Sequence, residues 1–327
     1  MTDIDKKKYD RLLTTLEHNF RITRLYADYL NLCPELIKSE MVEALTEGGD
    51  ITACEALVAI LSEAFSLDFE RGADRRLIMD YLTPSVRMLD AERYYSNPYY
   101  KNIKIPNIID GSWELRSEVY PAYRGMIAGD IIFDGLREIP PLGFFPCEFR
   151  FPAVLEDGNE WMTLTPVDVD TCDRAIEAAH GKVVTFGLGL GYYAYMVSEK
   201  PDVDSITVIE KSPDVIALFK KHILPQFRHK DKVRIIESDA FEYAEHRMPS
   251  ESFDYAFVDT WRDASDGAPM YERMKRLEHL SPDTEFSYWI ENFLISRLRA
   301  ERAEELFSGR YSPRSYTEAE DFLKNIL

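Results

Sequence analysis

The stretch from Val183 to Tyr192 limits the possible folds of this chain more than any other. Its first part, Val183–Phe186, is a short apolar run rich in β-branched residues, which is typical of a buried strand. Glycines follow directly at three alternate positions, Gly187, Gly189 and Gly191. Glycine adopts backbone conformations that other residues avoid and lets a ligand approach the main chain. The stretch therefore predicts a buried strand, a glycine loop close to a ligand, and then a helix.

Strands and helices alternate after this loop. Further apolar runs at Ser205–Glu210, Val233–Glu237 and Phe253–Val258 predict strands, and helical patterns separate them. Ser212 and Pro213 are a typical helix start, with serine as the cap. This alternation predicts an α/β, Rossmann-like, mostly parallel sheet with helices on both faces. Residues 285–290 fit a fifth strand, although the apolar positions that follow also fit a helix.

The first half of the chain has a different pattern. Apolar residues recur at helical spacing from residue 9 onward, and Thr52 with Glu55 forms a capping box. Residues 111–166 contain short extended segments, including a hairpin around Asp157-Gly158. We therefore predict a helical N-terminal domain (1–110), a β-containing connector (111–166) and a Rossmann-like domain (167–327).

Three acidic residues end the second, third and fourth predicted strands: Glu210, Asp239 and Asp259. In an open parallel sheet, ligands bind beyond the carboxyl ends of the strands, near the point where the strand order reverses. Singly, Glu210 could be a solvated loop residue, Asp239 a helix cap and Asp259 a turn residue. Together, in this order after the strands, they predict a binding site beside the glycine loop.

The glycine spacing argues against two common nucleotide sites. A dinucleotide fingerprint reads G-x-G-x-x-G, whereas Gly191 comes one residue too early for that pattern. A P-loop would need a Gly-Lys-Ser/Thr sequence, and none follows here.

With these residues in place, the region Asp168–Leu280 resembles class I S-adenosylmethionine-dependent methyltransferases. The resemblance rests on Phe186–Gly191, Val208–Glu210, Glu237–Ala240 and Phe253–Asp259. It implies S-adenosylmethionine as the cofactor, with Glu210 on the ribose, Lys211 beside the adenine, and Asp239 and Ala240 at the adenine edge. It also implies that the loop residues Gly187, Leu188, Gly189, Leu190 and Gly191 contact the methionine part. Asp259, the candidate catalytic residue, would lie near the transferred methyl group.

The chain departs from the family in several places. After Ile290 little room remains for the usual antiparallel hairpin, so either strands from residues 111–166 complete the sheet or the sheet is shorter. Asp259-Thr-Trp-Arg stands where many amine-directed nucleic-acid methyltransferases have Asn-Pro-Pro-Tyr. Asp259, Asp263 and Asp266 resemble the acidic group of metal-dependent catechol methyltransferases, but their spacing matches poorly. We therefore expect no metal.

Composition limits the partners. The 327 residues carry a formal net charge of −19, which argues against nucleic acid, whose phosphates need a basic face. No run of about 18 apolar residues exists, so we expect no membrane span. Scattered cysteines and the absence of an apolar leader at the N-terminus favour a cytoplasmic protein. The sequence leaves the oligomeric state open.

Three functions fit the sequence. The first is methyl transfer to a small molecule or protein, with Asp259 as base or anchor. Tyr192, Tyr193, Trp261 and Arg262 could shape the acceptor pocket, although Tyr193 or Trp261 could equally belong to the core. The second is aminopropyl transfer of the spermidine synthase type, which suits the acidic charge. The third is a sensor or scaffold that binds the cofactor without catalysis.

Overall fold

The computed structural model describes residues 3–326, which form a mixed α/β structure. Its α-helices are α1 (Asp3–Leu32), α2 (Ser39–Thr46), α3 (Ala53–Ala64), α4 (Gly72–Leu77), α5 (Thr83–Ser85), α6 (Ala91–Tyr95), α7 (Pro98–Asn102), α8 (Pro166–Ala178), α9 (Tyr192–Ser198), α10 (Pro213–His222), α11 (Ala240–His246), α12 (Ala264–Lys275), α13 (Glu291–Phe307) and α14 (Tyr316–Lys324). Its strands are β1 (Val86–Met88), β2 (Ile108–Asp110), β3 (Trp113–Tyr120), β4 (Met126–Ile127), β5 (Ile132–Asp134), β6 (Arg137–Ile139), β7 (Leu142–Phe144), β8 (Phe149–Glu156), β9 (Asn159–Thr163), β10 (Gly181–Phe186), β11 (Val203–Glu210), β12 (Val233–Glu237), β13 (Tyr255–Val258) and β14 (Glu285–Tyr288). In this part of the chain no helix is both long and apolar enough to cross a membrane.

The chain divides into two compact units, each built from separate segments. The helical unit comprises the residues through Asp90, Tyr120–Phe149 and the residues from Asn292 onward. The sheet unit comprises Ala91–Val119 and Arg150–Glu291. These boundaries differ from the predicted division at residues 110 and 166. That residues 1–110, 111–166 and 167–327 are separate domains stays a prediction.

Five parallel strands form the centre of the sheet unit, in the order β12-β11-β10-β13-β14. Strand β10 pairs with β11 on one side and β13 on the other, so that Phe186 lies between Ile209 and Val258. The strand order therefore reverses at β10, and a crevice opens there at the carboxyl edge. The predicted α/β, Rossmann-like fold is confirmed by this order and direction of strands.

The main sheet ends at β14, which pairs in parallel with β13 through Val258 and Tyr288. Residues 285–288 are thus a strand, whereas the alternative helix begins only at Glu291. Within the described residues after Ile290 the regular elements are helices, and β2-β3-β8-β9 form a separate antiparallel sheet. Of the two predicted alternatives, the shorter sheet is therefore the one observed.

Residues 91–102 pack within the sheet unit through aromatic contacts. The ring of Tyr99 meets Tyr192 and Tyr195 edge-on, at centroid distances of 5.6 and 5.5 Å. Its hydroxyl donates to the carbonyl of Leu190 at 2.5 Å. These contacts place the short helix α7 against α9, directly behind the glycine loop.

The helical unit has its own apolar core. The capping box of Thr52 and Glu55 starts α3 as predicted. The C-terminal helices α13 and α14 join this unit because they bury apolar side chains against the first half of α1. The residues of this contact are Leu12, Leu16, Ala303, Leu306, Ala319 and Leu323.

A buried ion pair links two distant segments of the helical unit. The Arg299 guanidinium donates to the Glu138 carboxylate at 2.5 Å, and the Ser296 hydroxyl donates to its other oxygen at 2.7 Å. Both charged side chains are less than 10% exposed. The loss of one partner would leave the other charge buried without compensation.

We expect Arg299→Met to lower the free energy of unfolding of the helical unit by about 3–5 kcal/mol, because Glu138 would remain buried and unpaired. Urea denaturation followed by circular dichroism measures this. Arg297→Met is the matched control, since its pair with Glu301 on the same helix is exposed and should contribute less than about 1 kcal/mol. Equal effects of the two substitutions would contradict the assigned role of the buried pair.

Candidate functional site

The glycine loop turns sharply where β10 ends. Gly187 has a φ of +99°, and a Cβ atom there would lie 1.9 Å from the carbonyl oxygen of Asp259. The Gly187 N–H donates a hydrogen bond to the main-chain carbonyl of Ile209 at 2.8 Å. The Asp259 N–H donates to the main-chain carbonyl of Phe186 at 2.9 Å. These bonds hold the loop between the ends of the two neighbouring strands. Only glycine fits at position 187.

The other two glycines allow close packing on each side of the loop. A Cβ on Gly189 would lie 2.3 Å from the sulfur of Met162, which also accepts the Leu190 N–H at 3.1 Å. A Cβ on Gly191 would lie 2.2 Å from the ring of Phe219. Because Met162 belongs to β9, the β8–β9 hairpin lies directly on the glycine loop.

The carboxylate of Glu210 ties the loop to the start of the next helix. It is 8% exposed. One oxygen accepts the Leu188 N–H at 3.2 Å and the other accepts the Ser212 N–H at 2.8 Å. A carboxylate oxygen has a second lone pair, so both oxygens can still accept hydrogen bonds from ligand hydroxyl groups.

Asp239 acts as the N-cap of α11. One of its oxygens accepts the N–H groups of Phe241 at 2.9 Å and Glu242 at 3.1 Å. Its neighbour Ser238 donates its N–H to the carbonyl of Glu210 at 3.0 Å, which aligns the two strand ends. The capping interpretation of Asp239 is thus confirmed, and the same residue also faces the cavity described next.

A cavity of about 470 Å³ opens beside these residues. This volume lies within the roughly 300–1,000 Å³ that is usual for small-molecule sites. All its lining residues belong to the sheet unit. The predicted site residues among them are Gly187, Leu188, Gly189, Glu210, Lys211, Asp239, Ala240 and Asp259. One cavity thus brings together eight of the ten predicted residues.

Leu190 and Gly191 are the two predicted site residues that do not line the cavity. Leu190 is fully buried, and Gly191 is buried as well. They carry a packing role instead, because Gly191 lies against Phe219 and the Leu190 carbonyl accepts the Tyr99 hydroxyl.

The residues predicted to shape the acceptor pocket lie in two different places. Trp261 and Arg262 line the same cavity. Tyr192 and Tyr193 line an adjoining space of about 30 Å³ behind the glycine loop. Tyr193 is 7% exposed and stacks on Phe257 at 4.2 Å, so its role is in the core.

Asp168 is a site residue that was not predicted from the sequence. It lines both cavities and lies in the first turn of α8, where it forms a capping box with Thr165. Since α8 precedes the central strand β10, its first turn lies at the carboxyl edge of the sheet. The Thr-x-x-Asp pattern before the first strand was the signal that could have located it.

Two carboxyl groups in the cavity, those of Asp259 and Asp168, have raised pKa values. Burial, followed by the charges of Asp168 and Glu210, raises the pKa of Asp259 to about 8. Burial also raises the pKa of Asp168 to about 6, although hydrogen bonds from Thr165 oppose the change. The site therefore favours protons or another cation near Asp259.

Asp263 and Asp266 serve the backbone. Asp263 caps α12 by accepting the Ser265 N–H at 2.7 Å, and Asp266 accepts the Asp263 N–H at 3.0 Å. Across residues 3–326 the structure contains no group of three or more histidine, cysteine or acidic side chains placed to hold a metal ion.

Comparisons with known proteins give distant structural neighbours. No family model matches the chain, and no curated protein matches it in sequence. A spermidine synthase from Thermotoga maritima aligns with 46% of this chain and 58% of its own, at 16% identity and a TM-score of 0.32. A protein named as a candidate caffeoyl-CoA O-methyltransferase from Staphylococcus aureus aligns with 47% of this chain and 68% of its own, at 17% identity and a TM-score of 0.28. The present chain thus spans little more than half of the first neighbour, and the fold assignment rests on the strand order instead.

We expect Gly187→Ala to destabilise the protein by about 2–5 kcal/mol, because the methyl group meets backbone and the φ is positive. Gly158→Ala is the matched control. Its φ of +79° is also positive, but nothing lies within 4 Å of a Cβ there, so only the conformational cost of about 1–2 kcal/mol applies. Thermal and urea unfolding measure both variants. A similar loss of stability in the two variants would show that the close approach of Gly187 to Asp259 does not exclude a side chain at position 187.

The raised pKa of Asp259 predicts how stability depends on pH. Between the ordinary value of 3.8 and about 8 the folded protein holds a proton that the unfolded chain has released. Stability should therefore fall as the pH rises through this range.

We expect Asp259→Asn to unfold at a higher temperature than the unsubstituted protein at pH 8.5, with the difference disappearing towards pH 4. Asp283→Asn, at an exposed position, should leave the pH profile unchanged. A variant profile parallel to that of the unsubstituted protein would refute the prediction.

Proposed function

We propose that the sheet unit is an S-adenosylmethionine-dependent methyltransferase that acts on a small molecule or a protein. The observation that carries this proposal is the convergence of Glu210, Asp239 and Asp259 with the glycine loop in one cavity. The cavity lies where the strand order reverses, which is where open α/β sheets bind nucleotide-type ligands.

The residues around the cavity fit the cofactor. Glu210 is a buried acceptor with free lone pairs, which suits the two ribose hydroxyl groups. Lys211, Asp239 and Ala240 follow the ends of β11 and β12 and would hold the adenine. Gly187, Leu188 and Gly189 leave the loop backbone open towards the methionine part. In this proposal Leu190 and Gly191 support the loop from behind.

The cofactor would supply a methyl group on a sulfonium, which is already an activated electrophile. The protein therefore has to orient the acceptor and exclude water. The carboxyl groups of Asp168 and Asp259 face the same space, and a sulfonium there would favour their ionised forms. Asp259 would then hold a cationic acceptor or take the proton that the acceptor loses.

Aminopropyl transfer is the second candidate, and the acidic lining favours it. Glu160 and Asp168 add two carboxyl groups to the three predicted ones. A polyamine acceptor would offset these charges. Turnover with decarboxylated cofactor and putrescine, compared with turnover of S-adenosylmethionine, separates the two reactions.

The net charge of −19 supports the proposal that the acceptor is not a nucleic acid. A phosphate backbone would have to approach a cavity with five acidic side chains and two basic ones, Lys211 and Arg262.

Calorimetry with S-adenosylmethionine and its demethylated product tests the proposal. We expect binding in the micromolar range and a roughly 10- to 100-fold loss of affinity in Glu210→Gln, since hydrogen bonds to a charged group contribute about 1.5–3 kcal/mol. Glu237→Gln is the matched control, because Glu237 ends the neighbouring strand in register with Glu210 and is exposed. Thermal unfolding should accompany each measurement, because Glu210 also holds the loop. No binding by the unsubstituted protein would refute the proposal.

A further inference from the structure

The cavity has a second side that the proposed cofactor contacts do not use. Glu210 and Asp239 follow β11 and β12, which lie on one side of β10, whereas β13 and β14 lie on the other. Trp261 follows β13, Trp289 follows β14, and Trp161 is part of β9. All three tryptophans line the cavity. The whole chain has four tryptophans, so three of them are gathered at this one place.

Tryptophan faces attract cations because the ring carries a negative potential above its plane. Aromatic side chains are common in small-molecule sites, so the tryptophans indicate a cation only together with the acidic side chains of the same cavity. Trp261 is 6% exposed and stacks on Tyr288, which fixes its position. Trp161 and Trp289 are only half-buried, so their rings remain accessible from the cavity.

The charges on the same side have the sign that complements a cation. Asp168 and Asp259 border the adjoining space together with Trp289, Glu160 directly precedes Trp161 in β9, and the basic residue Arg262 directly follows Trp261. Hydrogen bonds from Ser265, with a contribution from the charge of Arg262, lower the pKa of Asp263, so Arg262 also lies near a carboxylate. An anionic acceptor such as a phenolate or a carboxylate would meet repulsion at this side.

We propose that the methyl acceptor is an aliphatic amine, which binds as an ammonium cation between the tryptophans and the carboxyl groups of Asp168 and Asp259. The inference rests on the proposed methyltransferase function and specifies its substrate class. A free diamine and a lysine side chain present the same chemistry.

The reaction balances with the amine, the cofactor and the Asp259 carboxylate. The ammonium loses one proton to the Asp259 carboxylate, which leaves a nitrogen lone pair. That lone pair forms a bond to the methyl carbon, the carbon–sulfur bond breaks, and sulfur keeps the electron pair. The products are a methylated ammonium and the neutral, demethylated cofactor. The proton on Asp259 then leaves to solvent.

The first test measures binding to the full-length protein saturated with the demethylated cofactor. Calorimetry compares 1,4-diaminobutane with 1,4-butanediol, which has the same length and no charge. A blocked lysine peptide and catechol are the other two arms. We expect the amines to bind and to become methylated when S-adenosylmethionine replaces the product, as followed by mass spectrometry. The diamine and peptide arms distinguish a small-molecule substrate from a protein substrate.

The second test uses the half-buried tryptophans. We expect Trp289→Leu and Trp161→Leu each to weaken diamine binding by about 3- to 30-fold, the range given by cation–π interactions. Trp289→Phe should retain more affinity than Trp289→Leu, because phenylalanine keeps an aromatic face. The affinity for the demethylated cofactor should stay unchanged in all three variants, which also shows that they are folded.

The outcomes separate the two proposals. Methylation of catechol or the diol but not of amines would overturn the amine inference and leave the methyltransferase proposal standing. Diamine binding that is unchanged in both leucine variants would also overturn the inference. Failure of the unsubstituted protein to bind S-adenosylmethionine or its product would overturn the proposed function itself. Amine turnover only with decarboxylated cofactor would overturn methyl transfer, and with it the assignment of a methyl acceptor, in favour of aminopropyl transfer.

Discussion

The close contact between Gly187 and the backbone carbonyl of Asp259 is the constraint on which the site depends. No side chain fits between them, so β10 and β13 can end side by side and the loop can turn immediately after Phe186. Glu210 then accepts the Leu188 N–H and fixes the loop from the other side. The position of the cavity follows from these two contacts, because the ligand space begins where the loop backbone ends.

Electrostatics gives this cavity its chemical character. Asp168 and Asp259 come from segments far apart in sequence, and burial raises the pKa of both. The charge of Glu160 adds to the change at Asp168, and the charges of Asp168 and Glu210 add to it at Asp259. Carboxyl groups in this arrangement gain stability when a cation enters. A sulfonium and an ammonium would both meet this requirement, and three tryptophans around the same space reinforce it.

The hairpin β8–β9 shows how the sheet unit is assembled from separate pieces of chain. The sequence predicts this hairpin correctly from Asp157 and Gly158, yet as part of a connector. In the structure Met162 packs on the glycine loop and Trp161 lines the cavity. Helices α13 and α14 join the helical unit instead, because their apolar faces are buried against α1. Hydrophobic burial thus groups these segments independently of their order along the chain.

The sequence by itself determined the local elements: the strands around the loop, the caps at Thr52 and Ser212, and the positions of Glu210, Asp239 and Asp259 at strand ends. Short-range rules suffice there, because propensity, capping and glycine geometry act within a few residues. Only the tertiary structure decided where the sheet ends, which residues line the cavity and how buried its carboxyl groups are. These properties depend on contacts between segments distant in sequence, such as Gly187 with Asp259 and Gly189 with Met162, and on the exclusion of water that such contacts produce.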